Sequence, residues 1–195
     1  MKKVLFCLIL LNFLIAASST FAEDIVEKTF ESGFLQNRIG VSGSTISGYG
    51  LTYQRFISPD MALKLLGFFY LNQKSNDKDY NEVYSVGIEL KPTISTWKVI
   101  TVYGILGAGY WGYDYSTPAE TYKEATIERF GSYNLGLGLG LEILAGRRIG
   151  FNFDLGFKYQ IYKEIPYKSY TTVMPDYQDG RYFGFAFGAG ITYAF

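Results

Sequence analysis

The sequence predicts an all-β fold, an eight-stranded antiparallel transmembrane β-barrel with short periplasmic turns and long outer loops. Three observations carry this. The 195 residues include 18 Tyr, 16 Phe and 22 Gly, a combination foreign to an ordinary soluble domain. Apolar and small-or-polar residues alternate at period 2, the mark of strands with two different faces. Finally, beyond the N-terminus no segment offers the ~20 consecutive apolar residues that a membrane helix needs.

Met1-Lys2-Lys3 precedes an apolar run from Val4 to Ala17, followed by Ser18-Ser19-Thr20-Phe21-Ala22. A basic start, an apolar core and a small-residue exit describe a secretory signal peptide, residues 1–22, cleaved between Ala22 and Glu23. Residues 23–195 then form one outer-membrane barrel domain. The single cysteine, Cys7, falls inside the leader without the small residues of a lipoprotein anchor. The mature chain lacks cysteine and histidine, which removes disulfides, thiolate metal sites and the commonest general base. Loss of Lys2 and Lys3 leaves a slight acidic excess, so no basic field exists for nucleic acid.

The alternation is clearest at the C-terminus, where Phe183, Phe185, Phe187, Ala189, Ile191, Tyr193 and Phe195 interleave with Gly184, Ala186, Gly188, Gly190, Thr192 and Ala194. Residues 149–162, 132–143 and 61–71 repeat the pattern, and their charges all fall on the second phase. A soluble sandwich would put Lys, Glu and Thr on a water-facing phase. Here that phase is small as well as polar, which suits side chains crowded into a narrow lumen. The complete set of candidate strands is 36–44, 49–57, 61–71, 82–91, 99–112, 130–143, 149–162 and 182–195. Short connections at 58–60, 92–98 and 145–148 alternate with long polar ones at 72–81, 113–129 and 163–181. This is the pattern of a bacterial outer-membrane barrel with both termini in the periplasm. The first hairpin, near Thr45 to Gly48, departs from it with a tight outer loop. In 99–112 both phases are apolar and the faces stay open. Arg55 falls on the lipid phase near the periplasmic end, where a long side chain reaches the headgroups.

Ile191, Tyr193 and the terminal Phe195 resemble the C-terminal assembly signal of outer-membrane β-barrel proteins. The mature chain as a whole resembles the small eight-stranded class that includes OmpX and the OmpA membrane domain. The resemblance implies recognition by the barrel-assembly machinery and residence in the outer membrane beside lipid and lipopolysaccharide. Small barrel enzymes that act on lipid A depend on a histidine absent from this chain.

The lumen phase collects Arg38, Lys64, Glu89, Glu142, Asp154 and Lys158. Buried charge is costly unless paired, so this balanced set predicts an ion-pair network, with Lys64 opposite Glu89 if the hairpin across 72–81 is symmetric. An eight-stranded interior is only wide enough for side chains, which favours a plug over an ion gate. Glu142 and Asp154 are the best pair of carboxylates, but nothing supplies a nucleophile with a base beside it. The expectation is therefore no enzymatic activity and no cofactor. Gly104, Gly107 and Gly109, with Gly136, Gly138 and Gly140, lie inside strands and read as thin lumen positions, not as a phosphate loop. Asp77, Asp79, Asn81 and Glu82 lack calcium-loop spacing and read as a solvated tip, with no metal site expected.

Tyr110, Trp111, Tyr113, Tyr115, Tyr162 and Tyr182 are placed by the strand ends in an outer aromatic girdle, and Trp97, Phe151, Tyr193 and Phe195 in an inner one. Tyr167, Tyr170 and Tyr177 lie farther out, in a loop suited to a host or surface ligand. The favoured role is structural or surface-interacting, through the extracellular loops of a monomer. The alternative is a small porin-like or lateral-diffusion channel.

Overall fold

The period-2 pattern closes into a single ring. The structure, a computed structural model, describes residues 37–73, 80–117, 125–146, 148–170 and 178–195. The proposed leader with its Ala22–Glu23 junction, the acidic positions Asp77 and Asp79, Tyr177 and the side chains of Tyr167 and Tyr170 lie outside the described residues. Eight strands follow in order: β1 (Asn37–Ser44), β2 (Gly48–Ser58), β3 (Met61–Gln73), β4 (Tyr80–Trp97), β5 (Ile100–Thr117), β6 (Ala125–Ala145), β7 (Ile149–Tyr170) and β8 (Gln178–Ala194). Each pairs antiparallel with its sequence neighbours, and β8 returns to β1 from Arg38↔Ala194 to Ser44↔Gly188. The protein is thus a closed eight-stranded antiparallel barrel. A further backbone bond, Phe195 N–H to Asn37 C=O at 3.0 Å, ties the chain end to β1.

The outward phase is apolar around the ring. Leu51, Phe69, Val86, Leu135, Leu155, Phe185 and Ile191 all stand exposed on it, whereas Arg38, Gln54, Lys64, Glu89, Asn152 and Asp154 are buried inside. Such an inversion is stable only in lipid, where an apolar outer face is matched by the hydrocarbon and a polar one is hidden in the lumen. Ile191, Tyr193 and Phe195 of the C-terminal motif all face outward.

Three expectations change. Residues 92–98 are not a turn, because β4 continues to Trp97 and only Lys98 and Val99 connect it to β5. Pro92 has no N–H to give to the ladder; the β4–β5 pairing accordingly drops two rungs between Leu90↔Leu106 and Thr93↔Tyr103 while keeping its register, and the register shifts just beyond, between Thr93 and Ser95. The predicted outer loops are also shorter than expected, since β4 to β7 run to 18, 18, 21 and 22 residues. A tilted strand needs only about 9–11 residues to cross the hydrocarbon layer, so these four stand well beyond it.

The third change concerns the girdle. Strand pairing settles the faces of β5: Thr101, Tyr103, Ile105, Gly107, Gly109 and Trp111 point inward. Trp111, Tyr113, Tyr115, Tyr162 and Tyr182 therefore belong to the lumen phase, and of the predicted outer set only Tyr110 faces lipid. Its partners are Tyr84, stacked at 5.6 Å, and Tyr133 at 4.5 Å between ring centroids.

Candidate functional site: a plugged lumen and an interrupted wall

The lumen is filled in layers. At the periplasmic end the Arg38 guanidinium pairs with the Glu142 carboxylate and lies 4.9 Å over the Phe56 ring. Above it, Lys64 stands directly opposite Glu89 in the β3–β4 register, with Nζ and Oε2 3.3 Å apart. Both side chains are fully buried. Asp154 accepts a hydrogen bond from the Tyr103 hydroxyl at 2.6 Å, and Lys91 Nζ sits 3.9 Å over the same ring. The Tyr103 ring fills the space beside Gly140, where a Cβ would collide with it.

Lys158 does not join this network. It is only partly buried, and no carboxylate among the described residues pairs with it. Lys91, which sequence reasoning passed over, takes its place among the buried charges. The signal was present, because Lys91 is two residues beyond Glu89 and so on the same face of β4.

The other missing piece is the tip of the β1–β2 hairpin. Residues Thr45, Ile46 and Ser47 do not rise outward as a loop but fold across the lumen. Ile46 and Ser47 are almost completely buried. Ile46 packs with Tyr103, Ile105 and Ala186, an apolar layer above the charges, and its burial contributes about 1.5–3 kcal/mol. The Ser47 hydroxyl donates to the Glu89 carboxylate on the far wall, and Tyr49 N–H donates to Ser85 Oγ at 3.1 Å. Thr45 stays tied to β8, its N–H on Phe187 C=O at 2.9 Å and its Oγ1 receiving Phe187 N–H at 3.0 Å.

Two local features permit the inward fold. Gly48 and Gly50 adopt φ of 103° and 138°, a region closed to most side chains, and so turn the start of β2 off the wall. Opposite, the glycines of β4, β5 and β6 leave the tip its room: a Cβ at Gly87 or Gly109 would strike the Ser47 backbone, and one at Gly107 or Gly136 would strike Ile46. The glycine series thus makes space for a segment of the same chain.

The inward tip interrupts the wall. Pairing of β2 with β3 stops at Leu51↔Gly67, and pairing of β1 with β8 stops at Ser44↔Gly188. Above those points Phe68–Gln73 of β3 and Gln178–Ala186 of β8 have no ladder partner on their facing sides among the described residues. Phe68, Tyr70 and Tyr182, all on the lumen phase, are 40%, 45% and 51% exposed, which marks an opening and not a seam. On the inner side of this level lies an aromatic wall, with Phe130 4.8 Å from Trp111, 5.8 Å from Tyr113 and 5.9 Å from Tyr162.

A closed ring of eight strands with a lipid-facing apolar phase and a polar plugged interior defines a small integral β-barrel protein of the bacterial outer membrane. The sequence comparisons agree. The chain is 31% identical over 131 residues to outer membrane protein X of Escherichia coli (strain K12), the match covering 65% of this chain and 72% of that protein. Outer membrane protein X of Shigella flexneri matches with the same figures. The chain belongs to the outer membrane protein X family. No family model matches it. Among solved structures, a major outer membrane protein from Thermus thermophilus aligns with TM-score 0.46 and 12% identity, over 82% of this chain and 99% of that one. Acinetobacter baumannii CarO aligns with TM-score 0.42 and 11% identity, over 83% and 98%.

Proposed function

We propose that this protein is a non-conducting structural barrel that presents the outer ends of β4–β7 and their loops at the cell surface. The observation that carries this reading is the hairpin tip across the lumen, locked by Ser47 on Glu89 above two buried ion pairs. An eight-stranded interior has little width to spare, and here it is occupied from side to side. The projecting strands are braced as a platform: Arg129 Nη2 meets Asp114 Oδ2 at 2.6 Å, and the Tyr113 hydroxyl donates to Glu128 at 2.6 Å. Such a platform suits lipopolysaccharide and host or surface ligands as partners. The porin-like alternative requires the tip to leave the lumen. Reconstitution into planar bilayers tests the choice. No defined unit conductance is expected, and a steady open state would overturn the reading. A deletion strain assayed for permeability, adhesion and serum survival tests the surface role. Catalysis forms no part of this proposal, so lipid A mass spectra should be the same with and without the protein.

A further inference from the structure

The interrupted wall lies in the membrane, not above it. On β8 the outward residues at its height are Phe183, Phe185 and Phe187, and Phe185 is 79% exposed; on β3 they are Phe69 and Leu71. The first charge beyond them on the outward phase of β8 is Arg181. The missing segment is two strands wide, at about 4.8 Å per strand, and opens sideways onto the outer leaflet. A partly open cavity of about 350 Å³ lies at this place, against the hairpin tip and β8. Its lining changes from Tyr49 and Phe187, on the lipid-facing phase, to Trp111 and Lys158, on the lumen phase, with Thr45 between them.

Among the described residues, Lys158 is the lumen-phase cation of β7 that the network below does not use. Its ladder neighbours are Gly136 and Gly184, neither of which offers a counter-charge. The nearest carboxylate on its own face, Asp154, already receives the Tyr103 hydroxyl. A partly desolvated ammonium at a membrane opening calls for an anion. The facing edges of β8 and β3 add backbone polar groups with no ladder partner among the described residues at lipid depth, a costly arrangement unless polar atoms meet them. An apolar flank, a cation inside and unmatched backbone groups between them describe one kind of occupant, a molecule with an anionic head and an aliphatic chain.

We infer that this opening beside β8 is a binding site for an anionic lipid of the outer leaflet, its headgroup on Lys158 beside Trp111 and its chain leaving past Tyr49 and Phe187. The tip of β1–β2 forms the floor, so the headgroup enters from the side and stops above the plug. The site goes beyond the structural role, since a sealed lumen neither requires nor forbids it.

Trp111 supplies the reporter. The chain has two tryptophans, and the Trp97→Phe variant leaves Trp111 alone. That variant, folded into phosphatidylcholine vesicles, receives a minor fraction of one brominated-chain lipid: phosphatidic acid, a fatty acid or phosphatidylcholine. Saturable quenching of Trp111 by the phosphate or carboxylate lipid, beyond that by phosphatidylcholine, is expected, and the two anionic arms tell which head is preferred. Lys158→Gln should weaken that excess roughly tenfold, the loss of one charge-assisted hydrogen bond, and Lys158→Arg should retain most of it. Inorganic phosphate should not compete, because it lacks the chain. Both Lys158 variants are checked for heat-modifiable migration, so that misfolding is not read as lost binding. In the companion Trp111→Phe protein, quenching of Trp97 should ignore Lys158. Equal quenching of Trp111 by all three lipids, an excess indifferent to Lys158→Gln, or displacement by inorganic phosphate would each overturn the proposal.

Discussion

Ser47, at the tip of a hairpin that begins on one side of the barrel, gives its hydroxyl to Glu89 on the other. The bond joins residues 42 apart in sequence and holds the segment that closes the lumen. Both partners are wholly buried, so the bond is charge-assisted and shielded from water. Ser47→Ala should therefore cost about 1.5–3 kcal/mol in urea unfolding from lipid vesicles. A change below about half a kcal/mol would mean that Ser85 and Thr45 hold the tip without it.

The glycines facing the tip make a sharper test of the plug. Gly109→Ala places a methyl group 2.5 Å from the Ser47 carbonyl oxygen, against backbone that cannot rotate away. Overpacking of this kind costs about 1–3 kcal/mol. Gly67→Ala, on the lipid-facing side with its nearest neighbour 4.0 Å away, should be close to neutral. If the tip is displaced rather than strained, Gly109→Ala should also conduct more than the parent protein in planar bilayers. Equal effects of the two substitutions would exclude a packed tip.

Closure of the ring predicts its behaviour on gels. β8 holds β1 through seven register pairs and the Phe195 N–H, so the described residues leave no free edge in the inner half of the wall. Unboiled protein should migrate differently from boiled protein, and Lys158 variants should share that shift. Unchanged mobility would indicate an open sheet.

Strand alternation made most of this architecture legible, because a lipid-facing phase and a lumen phase differ in composition at every second residue. The partnership of Lys64 with Glu89 could be read from hairpin symmetry alone. Where both phases are apolar, alternation offers no contrast, and the orientation of Tyr103 and Trp111 waited on the pairing of β5 with β4 and β6. Pro92 misled in a different way: a proline inside Lys91-Pro92-Thr93 signals a turn locally, yet it sits where the β4–β5 ladder lapses beside a register shift, and there its missing N–H costs little. The inward tip was the least legible feature. Thr45 to Gly48 has turn composition whether it points out or in. The deciding features are long-range, with glycine on three other strands and a carboxylate on the far wall. Only Ile46, an aliphatic side chain in the middle of a turn, hinted at burial.

Glu89 is the hub of the buried charges, and its neighbours should be unequal. Lys64 faces it across the strand pair at 3.3 Å, Ser47 donates to it from above, and Lys91 follows two residues on, about 6.7 Å along the same face of β4. Removing Glu89 leaves two buried ammonium groups with their shared anion gone and the Ser47 hydroxyl without its acceptor. Removing Lys64 leaves Glu89 with Ser47 and a second cation nearby. Glu89→Gln should therefore destabilise more than Lys64→Met, and the former should approach the upper end of the roughly 3–5 kcal/mol seen when a buried pair is broken. The double substitution should cost less than the sum, with a coupling of about 0.5–3 kcal/mol, because neither charge is then left alone. A double-mutant cycle on urea unfolding in vesicles measures both quantities. Equal single costs would mean that Lys91 does not share the Glu89 carboxylate. Zero coupling would mean that water reaches Lys64 and Glu89 past the tip, and a lumen open to water would undercut the non-conducting reading.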